Sequence, residues 1–394
     1  MNKRKYPFLA FCLLAFLLTG CWDETNIEER GFIIGLAIDL ADEKVNGNHQ
    51  VTLTNQFVVP PGIGSPSDGS GGSQKAYLNL SASGDSIYAI DKEMRTSTNT
   101  IPFFEHLKVI VLSEDVLNTP DLFPSIMDPF FRNHDIRRVT KIIIAKGEAK
   151  EILDITPENE KIPALYMDTL LEKGLGIKGT LKPVQLGDIH ESFLTDSSFT
   201  LPLFLPSEKK LDYEAGAVFH GYEGKLVGTL SKQEMQGLNL MIGEYQGGPI
   251  EFEHEGNMIT FNISHANSKI KIDTKNSEKL SISVDISAEG RIAEVFGAET
   301  IMDPKTIAEI EKKATEKIEE IVQKTIEKAQ SELHADVFGL KNKLKQRHYQ
   351  TWQKVKDNWD HGDNYFGKST FHVKAKVRVR SAGESEKSQK DGKK

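Results

Sequence analysis

PKTIAEIEKKATEKIEEIVQKTIEKAQSEL, residues 304–333, carries the strongest periodic signal in the chain. Ile307, Ile310, Ala314, Ile318, Ile321, Val322, Thr325, Ala329 and Leu333 recur at steps of three and four, with Glu and Lys opposite. That spacing predicts one amphipathic helix, roughly 45 Å long at 1.5 Å per residue. Asp303 can cap it, with Pro304 at the first helical position. Strict heptads are not kept, so the stripe is expected to pack on a sheet of its own domain. A coiled coil with a partner is the alternative.

The residues before the helix supply such a sheet. Segments 215–220 and 226–230 read as strands, and Ser231-x-x-Glu234 is a capping box with Leu230 placed to staple onto Met235. Residues 251–263 read as a hairpin around Glu255-Gly256-Asn257, and 270–272 and 280–286 continue an antiparallel meander. After the helix, 340–358 is again helical, with Leu344, Trp352, Val355 and Trp359 among Lys341, Lys343, Lys345, Arg347, Lys354 and Lys356. The aromatics are either core with a solvated basic face, or a candidate partner surface formed by Trp352, Val355 and Trp359 that meets an acidic partner or lipid headgroups. Phe371, Val373, Ala375, Val377 and Val379 then alternate with charged residues, as in an edge strand. From Ser381 the chain is a polar tail expected to be disordered.

Working toward the N-terminus, Pro183–Pro206 is polar and turn-rich and reads as a connection between domains. Upstream, strands at 31–39, 50–59, 76–82, 106–112 and 139–145 alternate with helices after Asp85 (Ile87, Ile90, Met94), at 122–131 and at 148–154. A further helix at 162–173 is broken by Pro163. Asn55 is the one misfit on the apolar side of the second strand. The stretch 60–75, rich in Gly, Ser and Pro, reads as a flexible loop. The fold class is therefore α+β or mixed α/β, with three domains: an N-terminal α/β region at 21–150, a small middle helical region at 151–206, and a C-terminal domain at 212–380 of antiparallel sheet packed with long helices. Residues 381–394 form the tail.

Residues 1–20 are different. Lys3, Arg4 and Lys5 precede an apolar run from Phe8 to Leu18, of signal-peptide length and short for a membrane span. It ends in Leu18-Thr19-Gly20-Cys21, which resembles the bacterial lipobox. Small Gly20 suits the peptidase subsite, Cys21 is the thiol that takes the lipid, and cleavage falls between them. Two or more acyl chains hold a protein stably on a membrane. The body is thus expected to be tethered outside the cytoplasm.

Composition narrows the chemistry. The chain has two cysteines, Cys12 and Cys21, so the processed protein would keep no free thiol and no disulfide. Losing the signal leaves 46 Lys+Arg against 57 Asp+Glu, a net charge of about −11. Such an acidic body is a poor partner for nucleic acid. Gly174-Leu175-Gly176-Ile177-Lys178-Gly179 matches G-x-G-x-x-G, but it follows a helix and runs into Pro183, so a dinucleotide site is rejected. The eleven histidines show no ligand spacing, and lone ones such as His106 and His220 read as structural. No metal, cofactor or catalytic set is expected.

Several stretches follow one another in a specific order. They are Gly20-Cys21-Trp22-Asp23, Ile27-Glu28 with Gly31 to Asp39, Ser81-Ala82-Ser83-Gly84-Asp85-Ser86-Ile87, and His106-Leu107-Lys108-Val109-Ile110-Val111. Arg132-Asn133-His134-Asp135-Ile136-Arg137, Ile162-Pro163-Ala164-Leu165-Tyr166 and Lys225-Leu226-Val227-Gly228-Thr229-Leu230 follow. Ala335-Asp336-Val337-Phe338-Gly339, then Trp352 and Trp359, complete the series. In this order the stretches resemble the Ger(x)C family of spore germination lipoproteins, with Leu340 where the family often has another glycine. The resemblance implies a three-domain, non-catalytic C subunit of a germinant receptor, needed for nutrient-triggered germination. It would be lipid-anchored on the outer face of the spore's inner membrane, beside an A subunit and an integral-membrane B subunit. Germinant recognition would lie mainly with those membrane subunits. Two other classes share a lipid anchor. A solute-binding lipoprotein of a transporter should show two similar doubly wound lobes. A lipid-anchored hydrolase should show convergent carboxylates or a nucleophile in a cleft.

Overall fold

The computed structural model describes residues 29–45, 48–63, 75–174, 183–296 and 304–381. The signal segment with Gly20 and Cys21, most of the Gly174–Gly179 stretch, the cap position Asp303, residues 64–74 and the tail beyond Ser381 lie outside the described residues.

Thirteen strands among the described residues form two sheets. The first contains β1 (Arg30–Val45), β2 (Asn48–Val58), β3 (Tyr77–Gly84), β4 (Ile101–Phe103), β5 (Val109–Ser113), β6 (Lys141–Ala145), β7 (Phe199–Ser207), β8 (Lys210–His220) and β9 (Lys225–Ser231). Their order is β3-β2-β1-β5-β6-β7-β8-β9, with β4 beside the start of β1. The central β1, β5, β6 and β7 run parallel, and antiparallel hairpins extend the sheet on both sides. β5 and β6 are buried at every position, as expected of parallel strands covered on both faces.

One face is covered by α1 (Ile87–Met94), α2 (Glu114–Asn118), α3 (Leu122–Arg132) and a later helix, α6 (Leu186–Leu194). The other is covered by α4 (Ala149–Asp154) and α5 (Pro163–Thr169), which widens into a single π-helical turn at Leu170–Gly174. Asp39 on β1 fixes α4 in place: its carboxylate accepts the Ala149 and Lys150 N–H groups at 2.5 and 3.0 Å. This satisfies donors that a helix start leaves free. The polar-looking side of β2 is buried too. Gln56 donates to the Leu153 carbonyl at 2.8 Å and accepts from the Ala164 N–H at 3.0 Å, tying α4 and α5 to the sheet.

Three sequence expectations change here. Residues 183–206 are not a polar connection; they build α6 and β7, and β7 lies inside the sheet. Pro202 and Pro206 argue against a strand on sequence alone, yet the ladder of β7 to β6 begins only at Leu203. Segments 215–220 and 226–230 extend this first sheet as β8 and β9, not the C-terminal one. The sheet runs without interruption across residues 206–212, through the β7–β8 hairpin. Finally, 340–358 is not one helix but α9 (Leu340–Arg347), α10 (Tyr349–Val355) and a 3-10 turn at Lys356–Asn358, interrupted at His348.

The second sheet has the order β10 (Gly248–His254), β11 (Asn257–Asp273), β12 (Ser281–Phe296) and β13 (Thr370–Ser381). The first three form the meander, and β13 joins β12 in parallel at the edge. Its covered face receives two helices. α7 (Lys232–Ile242) begins at the capping box, with Ser231 Oγ accepting the Glu234 N–H at 3.3 Å and Glu234 accepting the Ser231 N–H at 2.7 Å. α8 (Pro304–Ser331) buries Ile310, Ala314, Ile318, Ile321, Val322, Thr325, Ile326 and Ala329 within its own chain, not against a partner. Where α7 crosses it, a Cβ on Gly237 would lie 2.2 Å from Thr325 Oγ1 and 2.9 Å from the Ile321 carbonyl. Only glycine permits that approach.

The Glu-rich flank of α8 has a second task. Glu319, Thr315 and Glu311, spaced four apart, accept the β13 N–H groups of Ala375, Val377 and Val379 at 2.8, 3.2 and 2.8 Å. The helix thus supplies, from side chains, the acceptors that a fifth strand would offer. No helix among the described residues is long and apolar enough to cross a membrane. Nor do the described residues form two similar doubly wound lobes, as a solute-binding lipoprotein would require.

Candidate functional site

Two places concentrate polar chemistry. The first joins the two sheets. After α8 the chain turns and buries Asp336, whose carboxylate accepts the N–H groups of Phe338, Leu340 and Lys341 at 3.2, 3.2 and 2.7 Å and the Trp359 indole N–H at 2.8 Å. Gly339, at φ +67, makes the tight entry into α9. Burial pushes the Asp336 carboxyl up to about 6, and nearby Asp360 adds to the rise. Asp360 in turn accepts the Asp336 N–H at 3.2 Å and the Ser198 hydroxyl at 3.0 Å. His220 Nδ1 accepts the Glu223 N–H at 3.2 Å, which leaves Nε2–H to donate to the Asp360 carbonyl at 3.0 Å. Ser198 and His220 belong to the first sheet's end, so this hub bolts the C-terminal helices to it.

Trp352, Val355 and Trp359 are part of this hub's packing, not of a partner surface. They are 7%, 1% and 1% exposed. Trp352 meets Trp359 edge-on at 6.4 Å, and Trp359 packs on Phe366. The break at His348 and the 3-10 turn swing all three inward. Asp336 and Asp360 are convergent carboxylates, but both are at most 3% exposed. They offer a hydrolase no open cleft.

The second place is a cavity of about 390 Å³ on the face of the first sheet covered by α1 and α3. Leu36, Leu53, Ile87, Phe104, Phe130 and Ile136 form its apolar floor. Asp91, Arg95, Arg132, Asn133, His134 and Asp135 make its polar wall and rim. Three stretches that carry the family resemblance meet here: Leu36 comes from 31–39, Ile87 from 81–87, and the rim from 132–136. Arg95 donates from Nε and a terminal nitrogen to Asp91 Oδ2, at 3.2 and 3.0 Å. Arg132 Nε pairs with the Asp128 carboxylate at 2.7 and 2.9 Å. Burial raises the Asp91 carboxyl, opposed by Arg95.

Asp91 was missed in the sequence, although a signal existed. It lies four residues after Ile87 and three before Met94, within the apolar stripe of α1. The structure also gathers His254, Glu255 and Glu309, whose ligand atoms lie within 4.8 Å of one another. His254 and Glu309 are 55 positions apart in sequence, so spacing could not show that group.

The chain belongs to the Ger(x)C family of spore germination proteins, which it matches along nearly its whole length. Residues 23–205 match the family model "Spore germination protein N-terminal domain" and residues 214–383 match "Spore germination B3/GerAC like, C-terminal". Among curated relatives, spore germination protein YndF of Bacillus subtilis (strain 168) is 32% identical over 97% of this chain and 98% of its own. Spore germination protein A3 of the same organism is 30% identical over 96% and 98%, and B3 is 26% identical over 90% and 92%. The crystal structure of the GerBC protein shares the fold, with a TM-score of 0.60 and 22% identity, covering 87% of this chain and 97% of that one.

Proposed function

We propose that this chain is the C subunit of a spore germinant receptor, acylated at Cys21 after cleavage at Gly20 and held on the outer face of the inner spore membrane. It acts without catalysis, by assembling with the integral-membrane A and B subunits so that nutrients can trigger germination. The observation that carries this reading is the match to germination proteins along nearly the whole chain. The hub fits it: a subunit that passes force or position between partners needs its two sheets fixed relative to each other, and Asp336, Asp360 and His220 do that. The buried state of Trp352 and Trp359 moves the search for the assembly surface elsewhere on the body.

The test is a pull-down of the membrane-extracted protein from spores, wild type beside Cys21→Ala. Two integral-membrane subunits should co-purify with the wild type and be lost or reduced with the variant. Wild-type protein that emerges alone, or with a transporter permease, would overturn the reading in favour of a solute-binding lipoprotein.

A further inference from the structure

We propose that the cavity between α1 and α3 binds a small molecule carrying an ammonium group on an apolar body. The floor is hydrocarbon, and about 390 Å³ lies in the range of small-molecule sites. What selects the head group is Asp91 in the cavity wall. Asp91 Oδ2 is held by Arg95, but Asp91 Oδ1 is buried without a hydrogen-bond partner. Asn55, fully buried, places Nδ2 3.7 Å from the Met94 sulfur and leaves Oδ1 without a partner as well.

Asp91 brings a half-matched carboxylate to the cavity wall. Asn55 lies behind the floor: it is the register partner of Leu36, two residues from Leu53, fully buried and not among the lining residues. A donor-only head suits this acidic wall, and an ammonium brings three donors and a charge that favours the ionised carboxylate of Asp91. A carboxylate or phosphate head would instead face that carboxylate. The cations at the rim are already matched, Arg95 by Asp91 and Arg132 by Asp128.

This site does not depend on acylation of Cys21, so its failure and that of the receptor reading are separable. The experiment uses the full chain in lipid nanodiscs, free of detergent that could fill an apolar cavity. Three probes share one isobutyl body: isoamylamine, L-leucine and 4-methylpentanoate. Binding is read by saturation-transfer NMR and calorimetry. Isoamylamine should bind, and 4-methylpentanoate should bind at least about tenfold more weakly, the size expected for one charge-assisted hydrogen bond. Asp91→Asn, which keeps the side chain's shape, should weaken isoamylamine by about tenfold. Arg95→Gln, at a half-exposed position, should tighten it by freeing Asp91 Oδ2; this variant decides the matter if Asp91→Asn does not fold. L-Leucine that binds like isoamylamine assigns recognition to the ammonium alone. L-Leucine that is weakened by Arg132→Gln while isoamylamine is not adds a carboxylate contact at the rim. Absence of binding by both amines, equal binding of 4-methylpentanoate, or indifference to both variants at Asp91 and Arg95 would overturn the proposal.

Discussion

Every residue of β5 and β6 is buried, whereas β10 alternates buried and exposed from end to end. The first sheet lies between two layers of helices, and the second is covered on one face by α7 and α8. The contrast explains where each region keeps its polar chemistry. A sheet covered twice needs several short helices per face, and short helices meet imperfectly. The cavity lies where α1, α3 and the loop after α3 converge. A sheet covered once by a long helix is sealed along its length, and its polar groups gather at the helix end, around Asp336.

The largest effect that tests this contrast is at the hub. Trp359→Ala removes a buried side chain and one donor to Asp336, and should cost about 3–5 kcal/mol in urea unfolding. A cost below about 1 kcal/mol would mean the helix end is not where the second region is fastened. Next comes a scan of neighbouring positions. Val111→Ala and Leu112→Ala should each cost about 2–4 kcal/mol, because both faces of β5 are packed. On β12, Ile286→Ala should cost as much, while Ser287→Ala should stay within about 0.5 kcal/mol. Equal costs at both β12 positions would erase the difference between the sheets.

The pH dependence comes third. The Asp336 carboxyl rises to about 6 in the fold, against an ordinary value of 3.8 in the unfolded chain. Between these values the folded state binds more protons, so this group's contribution falls as pH rises from about 4 to 6. About 3 kcal/mol is lost by neutral pH. Comparing wild type with Asp336→Asn by urea midpoints from pH 4 to 7 should show that slope in the wild type alone. The smallest effect is at the sheet edge. Glu319→Ala leaves the half-buried Ala375 N–H without its acceptor and should cost about 1 kcal/mol, measurable as a modest drop in melting temperature.

Periodicity made much of this fold readable. The α8 stripe, the Ser231 capping box and the alternation of β13 depend on local spacing, and the structure reproduces all three. What spacing could not convey was the side an element turns to its neighbours. Trp352 and Trp359 sit seven apart, which puts them on one face whether that face is wet or dry. Glu311 and Glu319 read as a solvated flank, yet they serve β13. β7 was hidden by its two prolines. Behind the cavity floor, Asn55 stands out in the sequence as a misfit on an apolar strand face, and the resemblance motifs are visible as stretches. Their meeting at one cavity is a tertiary fact that joins residues about a hundred positions apart. The lipobox residues Gly20 and Cys21 remain a reading of sequence alone.

The three acceptors that α8 presents to β13 also close one route by which copies of the molecule could join. A sheet with a free edge is a template, and strands of a neighbouring copy can continue it. Here that growth end is terminated by Glu319, Thr315 and Glu311 of the same chain. If a lipid tether confines many copies to the two dimensions of a membrane, as proposed, their effective concentration rises steeply. A polymer chemist would call the long helix a chain stopper for this edge: subunits packed at high density cannot extend one another's second sheet through β13.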